Sequence, residues 1–354
     1  MEIISVGLDK QNIKRFVDLP KKLYSKKDNM ESASQMKSLL EKTHPLSKYF
    51  TLDAYLILKE EETVGRFAIT TYENDTNAYL GFFECINDKE VSSFLFTEAE
   101  KISREKKCIE IIGPVDASFW LKYRLKINKF DLPPYTGEPY NKDYYLDLFQ
   151  NSGYMVCEHY TSSAFRSVGE DYVNEKFENR YKEFLAQGYV IESPKREDYE
   201  KAVDEVYTLI TELYSDFPIY KNVSREDFCE MFKSYKTIMN MSMTKMAYYE
   251  GRAVGFYISL PDYGNTVYHA GLLDIPGILR TRKSPKKYVM LYMGVDQNHR
   301  GLGKALVYSI MKELMHNGLP SIGALARDGK VTQNYADEEK TDIYEYVLLK
   351  HPLV

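Results

Sequence analysis

Apolar and polar positions alternate along the chain in two runs of elements that share one order. In the first run, residues 3–6 read as a short strand. Asp9 stands at an N-cap position ahead of Ile13, Phe16, Val17 and Leu23 at helical spacing, and Pro20 predicts a kink or break in that helix. A second helix is expected over 34–42, ending before His44-Pro45. Three strand-like stretches follow, AYLILK from Ala54, VGRFAITTY from Val64 and AYLGFFEC from Ala78, joined by polar turns. A helix with Val91, Phe94, Leu95 and Ala99 comes next, then a strand over 108–112 that ends at Gly113-Pro114. Residues 115–140 are irregular. A helix over 144–151 with Gly153 beyond its end, and an alternating strand over 154–166, close this run.

Residues 170–187 are polar and helical and read as a connection. The order then repeats. A strand over 189–193 precedes a helix with Tyr199, Ala202, Val203, Val206, Leu209 and Ile210. Ser224 caps a helix with Phe228, Met231 and Phe232. Strands over 245–249 and 253–260 flank the turn Glu250-Gly251-Arg252. A polar stretch over 262–287 includes a strand-like piece at 266–270. Then come an apolar strand ending at Val295, a helix with Ala305, Leu306, Ile310, Met311, Leu314 and Met315, a strand over 321–326 and a last strand near 344–349. VGRFAI at Val64 and VGFYIS at Val254 hold corresponding places, which reads as an internal repeat of the fold.

One turn carries chemistry. Between the apolar strand and the last long helix the chain reads Arg300-Gly301-Leu302-Gly303-Lys304-Ala305. Glycines let backbone approach an oxygen closely, and the amides of a first helical turn point at an anion. A strand feeding such a turn is a phosphate cradle. With Arg300, Gly301, Gly303 and Ala305 matching the pattern [Q/R]-x-x-G-x-[G/A], the chain resembles the GNAT acyltransferase superfamily. The first run lacks the cradle: after Cys85 it reads INDKEVSS, without Gly or Arg. That run also resembles an uncharacterised bacterial tandem-GNAT family through KRFVDLPKKLY at Lys14, HPLSKYF at His44, GRFAI at Gly65, GFFEC at Gly81, Gly113-Pro114 and PYNKDYY at Pro139. It departs from that family in DASFWLKYRLK, after Gly113-Pro114.

The resemblance implies an α/β (α+β) fold of two GNAT-like domains, each a mixed, mainly antiparallel sheet flanked by helices. The expected boundaries are 1–168 for a degenerate first domain, 169–188 for the helical connection and 189–354 for the domain with the acyl-coenzyme A motif. It implies acetyl-CoA as co-substrate, without a metal, and direct attack on its thioester by a primary amine of a small molecule or peptide. The implied coenzyme contacts are Met293, Val295, Arg300, Gly301, Leu302, Gly303, Lys304, Ala305 and Asn334. Tyr335 and Tyr344 are the candidates for the acid that protonates the leaving thiolate. Asp274, Glu250 and His269 are candidates for the base. His299 is expected to be a solvent-facing turn residue. Alternatives are a non-catalytic acyl-CoA-binding or regulatory protein, and transfer of an aminoacyl group from transfer RNA.

Composition narrows this field. The 354 residues suffice for two domains, and the net charge of -5 argues against a general nucleic-acid surface, and so against the transfer-RNA alternative. The four cysteines, Cys85, Cys108, Cys157 and Cys229, form no C-x-x-C pair, and three of them lie in apolar surroundings. No stretch approaches the roughly 20 apolar residues of a membrane span. With no leader pattern at the N-terminus, the reading is a cytoplasmic protein without nucleic-acid or membrane partners. The acceptor and the oligomeric state, monomer or homodimer, stay open.

Overall fold

A computed structural model describes residues 1–329 and 337–354. In chain order its elements are β1 Glu2–Ser5, α1 Lys10–Leu23, α2 Ala33–Leu40, β2 Thr51–Lys59, β3 Glu62–Thr71, β4 Asn77–Cys85, α3 Lys89–Glu105, β5 Glu110–Gly113, β6 Val115–Asp116, β7 Lys122–Tyr123, β8 Leu125–Lys126, α4 Tyr145–Asn151 and β9 Met155–Phe165. They continue with α5 Glu175–Ala186, β10 Val190–Glu192, α6 Tyr199–Leu213, α7 Arg225–Lys233, α8 Tyr235–Ile238, β11 Thr244–Tyr249, β12 Arg252–Pro261, α9 Thr266–His269, α10 Ile275–Lys283, β13 Tyr288–Val295, α11 Leu302–Asn317, β14 Ser321–Arg327 and β15 Lys340–Pro352. These fall into two compact units. The first holds residues 1–134, 138–160 and 344–354; the second holds 135–137 and 161–343.

Within the first unit the strand order is β1-β2-β3-β4-β5-β15-β9, and from β1 to β15 every pair is antiparallel except β4–β5. Alternation sorts the side chains between its faces. Ile57, Phe67, Ile69 and Leu80 pack with Leu95 and Phe96 of α3 and with Phe149. Leu56, Ala68 and Phe82 pack with Ile13, Phe16, Met36 and Leu39 of α1 and α2. Asp9 caps α1 by accepting from the Asn12 amide at 2.8 Å. Pro20 does not break that helix, which runs to Leu23 and still accepts the Tyr24 amide on the Pro20 carbonyl. The Phe16 carbonyl, which proline leaves without its i+4 donor, accepts from the Arg66 guanidinium at 2.6 Å instead.

The second unit repeats the order as β10-β11-β12-β13-β14, with the end of β9 beyond β14. Again one pair, β13–β14, is parallel. Leu302, Ala305 and Leu306 of α11 pack on Ala247 and Val254, and Ile310 and Leu314 pack on Met243 and Tyr288. Tyr199 and Val203 of α6 pack with Met239, Leu260 and Ile258.

Three expectations change. The helix read as a connection is part of the second unit: Phe177 of α5 packs on Val307 and Met311, and Phe184 on Leu302, Ala305 and Leu306. The last strand is shared out, because Tyr344–Val354 groups with the first unit, where β15 pairs with β5. The strand-like piece at 266–270 is the short helix α9, in a connection that meets no neighbouring strand to pair with.

Candidate functional site

Strand β13 sets the geometry of the cradle. It pairs with β12 from Tyr288 to Val295, with a register shift that leaves Leu291 as a bulged residue. Its parallel pairing with β14 covers Tyr288, Val289 and Met290 and then stops. Among the described residues, the β14-facing side of β13 beyond Met290 is therefore without a strand partner. Two features border this stretch inside the second unit. The Tyr214 hydroxyl donates to the Met293 carbonyl at 3.3 Å. The tripeptide Tyr135-Thr136-Gly137 lies against Val289, Leu291 and Ile322, held by the Thr136 amide on Asp262 at 2.9 Å and the Gly137 amide on the Tyr268 hydroxyl at 2.9 Å.

After β13 the chain turns through Asp296–Arg300. The Asp296 amide donates to the Val254 carbonyl, and the Asp296 side chain accepts the Asn298 amide at 2.9 Å. Gly301 then has φ +93°, which a side chain resists, and it opens α11 with no side-chain cap. The Leu302 amide donates to the His299 carbonyl and the Lys304 amide to the Gly301 carbonyl, both at 3.2 Å. The amides of Gly301 and Gly303 have no backbone acceptor among the described residues. Two donors thus stand without a backbone acceptor at the positive end of a 16-residue helix. That is the observation an anion's oxygens require, and the donor set fits a phosphate.

Cations surround the turn. Arg300 is exposed, and Lys304 is half-buried on the first turn of α11. Arg180 of α5 was not anticipated. Its Nε lies 3.6 Å from where a Cβ on Gly301 would stand, and its guanidinium also holds Glu183 at 2.9 Å. Only the packing of α5 on α11 brings it there, and a helix read as a linker gives no such signal. His299 is not solvent-facing. Its Nδ1 is 2.7 Å from the Tyr189 hydroxyl, and its ring packs on Tyr189 and Tyr249, which stack on each other at 4.4 Å. An aromatic clamp thereby braces the turn from below.

The other sequence candidates disperse. Met293 and Val295 lie on β13, half-buried, with Val295 opposite Gly255. Leu302 buries its side chain against Phe184 rather than offering it to a ligand. Asn334 and Tyr335 lie outside the described residues. Tyr344 is buried in the first unit, its ring centroid 5.0 Å from the Lys126 ammonium, so packing there accounts for it. Asp274 caps the Gly271 amide at 2.8 Å, while Glu250 sits on an exposed turn and His269 is exposed at the end of α9. Burial pushes the Cys85 thiol up to about 12 and that of Cys157 to about 11, which suits apolar packing and not a thiolate nucleophile. Among the described residues no cluster of three His, Cys, Asp or Glu side chains could hold a metal ion.

The fold so assembled is that of the GNAT acetyltransferases, present twice. A tandem GNAT protein from the clavulanic acid biosynthesis pathway superposes with TM-score 0.54 over 100% of this chain and 98% of its own, at 11% identity. A GCN5-related glucosamine N-acetyltransferase region of a fungal multi-domain β-N-acetylglucosaminidase gives TM-score 0.54 over 99% of this chain and 38% of its own, at 14% identity. In sequence, the bacterial ceramide synthase of Caulobacter vibrioides is 21% identical over 265 residues, 72% of this chain and 68% of that protein. Protein YghO of Escherichia coli is 26% identical over 161 residues, 43% of this chain and 41% of its own length. No protein-family model matches the chain. Among the described residues no helix is long and apolar enough to cross a membrane.

Proposed function

We propose that the second unit binds an acyl-coenzyme A and transfers its acyl group to an amine. The carrying observation is the pair of amides at Gly301 and Gly303, left without a backbone acceptor at the start of α11, after a strand that parts from its parallel neighbour beyond Met290. In this reading those amides hold the pyrophosphate, with Arg180, Arg300 and Lys304 adding charge at its rim. The edge of β13 at Met293 and Val295 aligns the pantetheine arm by strand-like hydrogen bonds. The coenzyme supplies an activated thioester. The chain then supplies orientation: a fixed edge and a fixed anion site leave the acyl carbon one direction from which the amine approaches. Tyr335 is proposed as the donor of the proton to the thiolate, on the resemblance alone. A ceramide is an N-acyl amide, so the name of the Caulobacter relative agrees with amide formation, and it places lipid amines among the acceptors worth testing.

Release of free thiol tests the reading, with acetyl-CoA and a long-chain acyl-CoA as donors and a panel of small, peptide and long-chain amines as acceptors. Amine-dependent thiol release is expected, and Arg180→Ala should raise the donor KM about tenfold with little change in kcat. Binding of acyl-CoA without release for any amine would favour the non-catalytic alternative.

A further inference from the structure

The connection between β12 and β13 carries an exposed apolar tip followed by a basic run. From His269 to Arg280 every residue except Ile278 is exposed. Leu272 is 87% and Leu273 95% exposed, and Ile275 and Leu279 are exposed within the next two turns. Four large aliphatic side chains in eight residues is not the scattered exposure of an ordinary surface. Ile278 is buried and ties α10 down from beneath, and Arg282 donates to the Thr237 carbonyl at 2.8 Å. The tip is therefore held out on an anchored helix.

Within the tip the exposed Asp274 is turned back onto the Gly271 amide at 2.8 Å, and the charge that follows has one sign. IPGILRTRKSPKK, from Ile275 to Lys287, contains five cations and no acid, in a chain whose net charge is -5. Lys287 pairs with Asp262 at 3.1 Å. Arg280, Lys283 and Lys286 are exposed and form no ion pair among the described residues. Aliphatic tip and cationic flank together match one partner, since hydrocarbon accepts the leucines while phosphates at its border accept the cations. The tip offers aliphatic side chains to insert and no exposed aromatic to stack on a base, which a single-stranded nucleic acid would call for. A second copy docking on the same face would set like charges against each other.

We propose that this segment docks the protein on the surface of an anionic phospholipid bilayer, Leu272 and Leu273 entering the interface and Arg280, Lys283 and Lys286 contacting lipid phosphates. The sequence reading expected no membrane partner because it looked for a spanning segment. Interfacial docking needs none, and it stands independently of the coenzyme reading.

Flotation of the full chain with vesicles tests it. Vesicles of equal parts phosphatidylglycerol and phosphatidylcholine should carry the protein at low salt, and phosphatidylcholine alone should not. The triple variant Arg280→Gln/Lys283→Gln/Lys286→Gln should bind on the order of a hundredfold more weakly. Leu272→Ser/Leu273→Ser should lose binding at physiological salt, with the melting temperature of both variants unchanged. Failure of the wild type to float with anionic vesicles overturns the proposal. So does flotation that neither variant weakens, and so does a finding that the variants instead abolish binding to single-stranded DNA or self-association.

Discussion

In the first unit the helix that follows β4 begins on Asp88, whose Oδ1 accepts the amides of Glu90 at 2.9 Å and Val91 at 3.3 Å. In the second unit the helix that follows β13 begins on Gly301, which has no side chain to offer. The strands differ in the same sense. Where a Cβ on Gly81 of β4 would stand, the Val115 carbonyl oxygen is only 1.9 Å away, and the next residue, Asp116, accepts the Phe82 amide on its carboxylate at 2.5 Å. The first unit thus answers its helix terminus, and β4 where its register with β3 shifts between Gly81 and Glu84, with carboxylates of its own chain. The second leaves the terminus open. One fold caps its helix with a carboxylate in one copy and leaves the helix terminus to two glycines in the other, where the proposed anion site lies.

Gly81→Ala should have the largest effect on that contrast. It drives a methyl into the Val115 carbonyl, and a backbone atom cannot swing aside as a side-chain end does. The loss should be at least about 3 kcal/mol in the first unit, read by denaturant unfolding, while coenzyme binding by the second unit persists if that unit folds. A loss under about 1 kcal/mol would show that β6 is not seated firmly on β4.

Next is pH. Burial pushes Glu84 up to about 7, with the Arg66 charge pulling the other way, and the Tyr145 hydroxyl bonds to its carboxyl. Above its ordinary value of 4.5 the unfolded chain releases this proton while the folded unit keeps it. Its stabilisation is therefore full below 4.5 and is lost as pH rises through 7. The loss is on the order of 3 kcal/mol. Glu31 runs the opposite way. Burial alone would raise it, but Lys122 and Arg66 outweigh that and hold it at about 2, so its stabilisation is lost only as pH falls from 4.5 toward 2. Glu84→Gln should flatten the fall in melting temperature between about pH 4.5 and pH 7. An unchanged slope would place that titration elsewhere.

The smallest effect belongs to Asp88→Ala. It should destabilise α3 by about 1 kcal/mol, because the amides of Glu90 and Val91 lose their acceptor. It should not confer coenzyme binding on the first unit, since Val115 and Asp116 still cover β4.

Much of this contrast was readable in the chain. AYLILK and VGRFAITTY became β2 and β3, the motif helix became α11, and the missing glycines after Cys85 announced that the first copy lacks the cradle. Local pattern could do this because each of those elements satisfies its own period. What could not be read depends on contacts distant in sequence. Val115 and Asp116 lie in a segment without periodicity, and only the fold seats them on Gly81 and Phe82. Phe177 and Phe184, seven residues apart, did mark an apolar stripe on α5, but its polar remainder disguised a packed helix as a linker. Arg180 was lost with it. Tyr344 was misplaced because the final strand was assumed to stay with the sequence that precedes it.

The measurement closest to the central claim is a calorimetric titration of coenzyme A into the wild type and into Gly301→Val/Gly303→Val, with the fold of each checked by circular dichroism. The account predicts a dissociation constant on the order of micromolar for the wild type and a loss of at least about a hundredfold in the variant. A wild type that takes up no coenzyme A, or a folded variant that binds it as well, would contradict the assignment of the amides at Gly301 and Gly303 as the anion site.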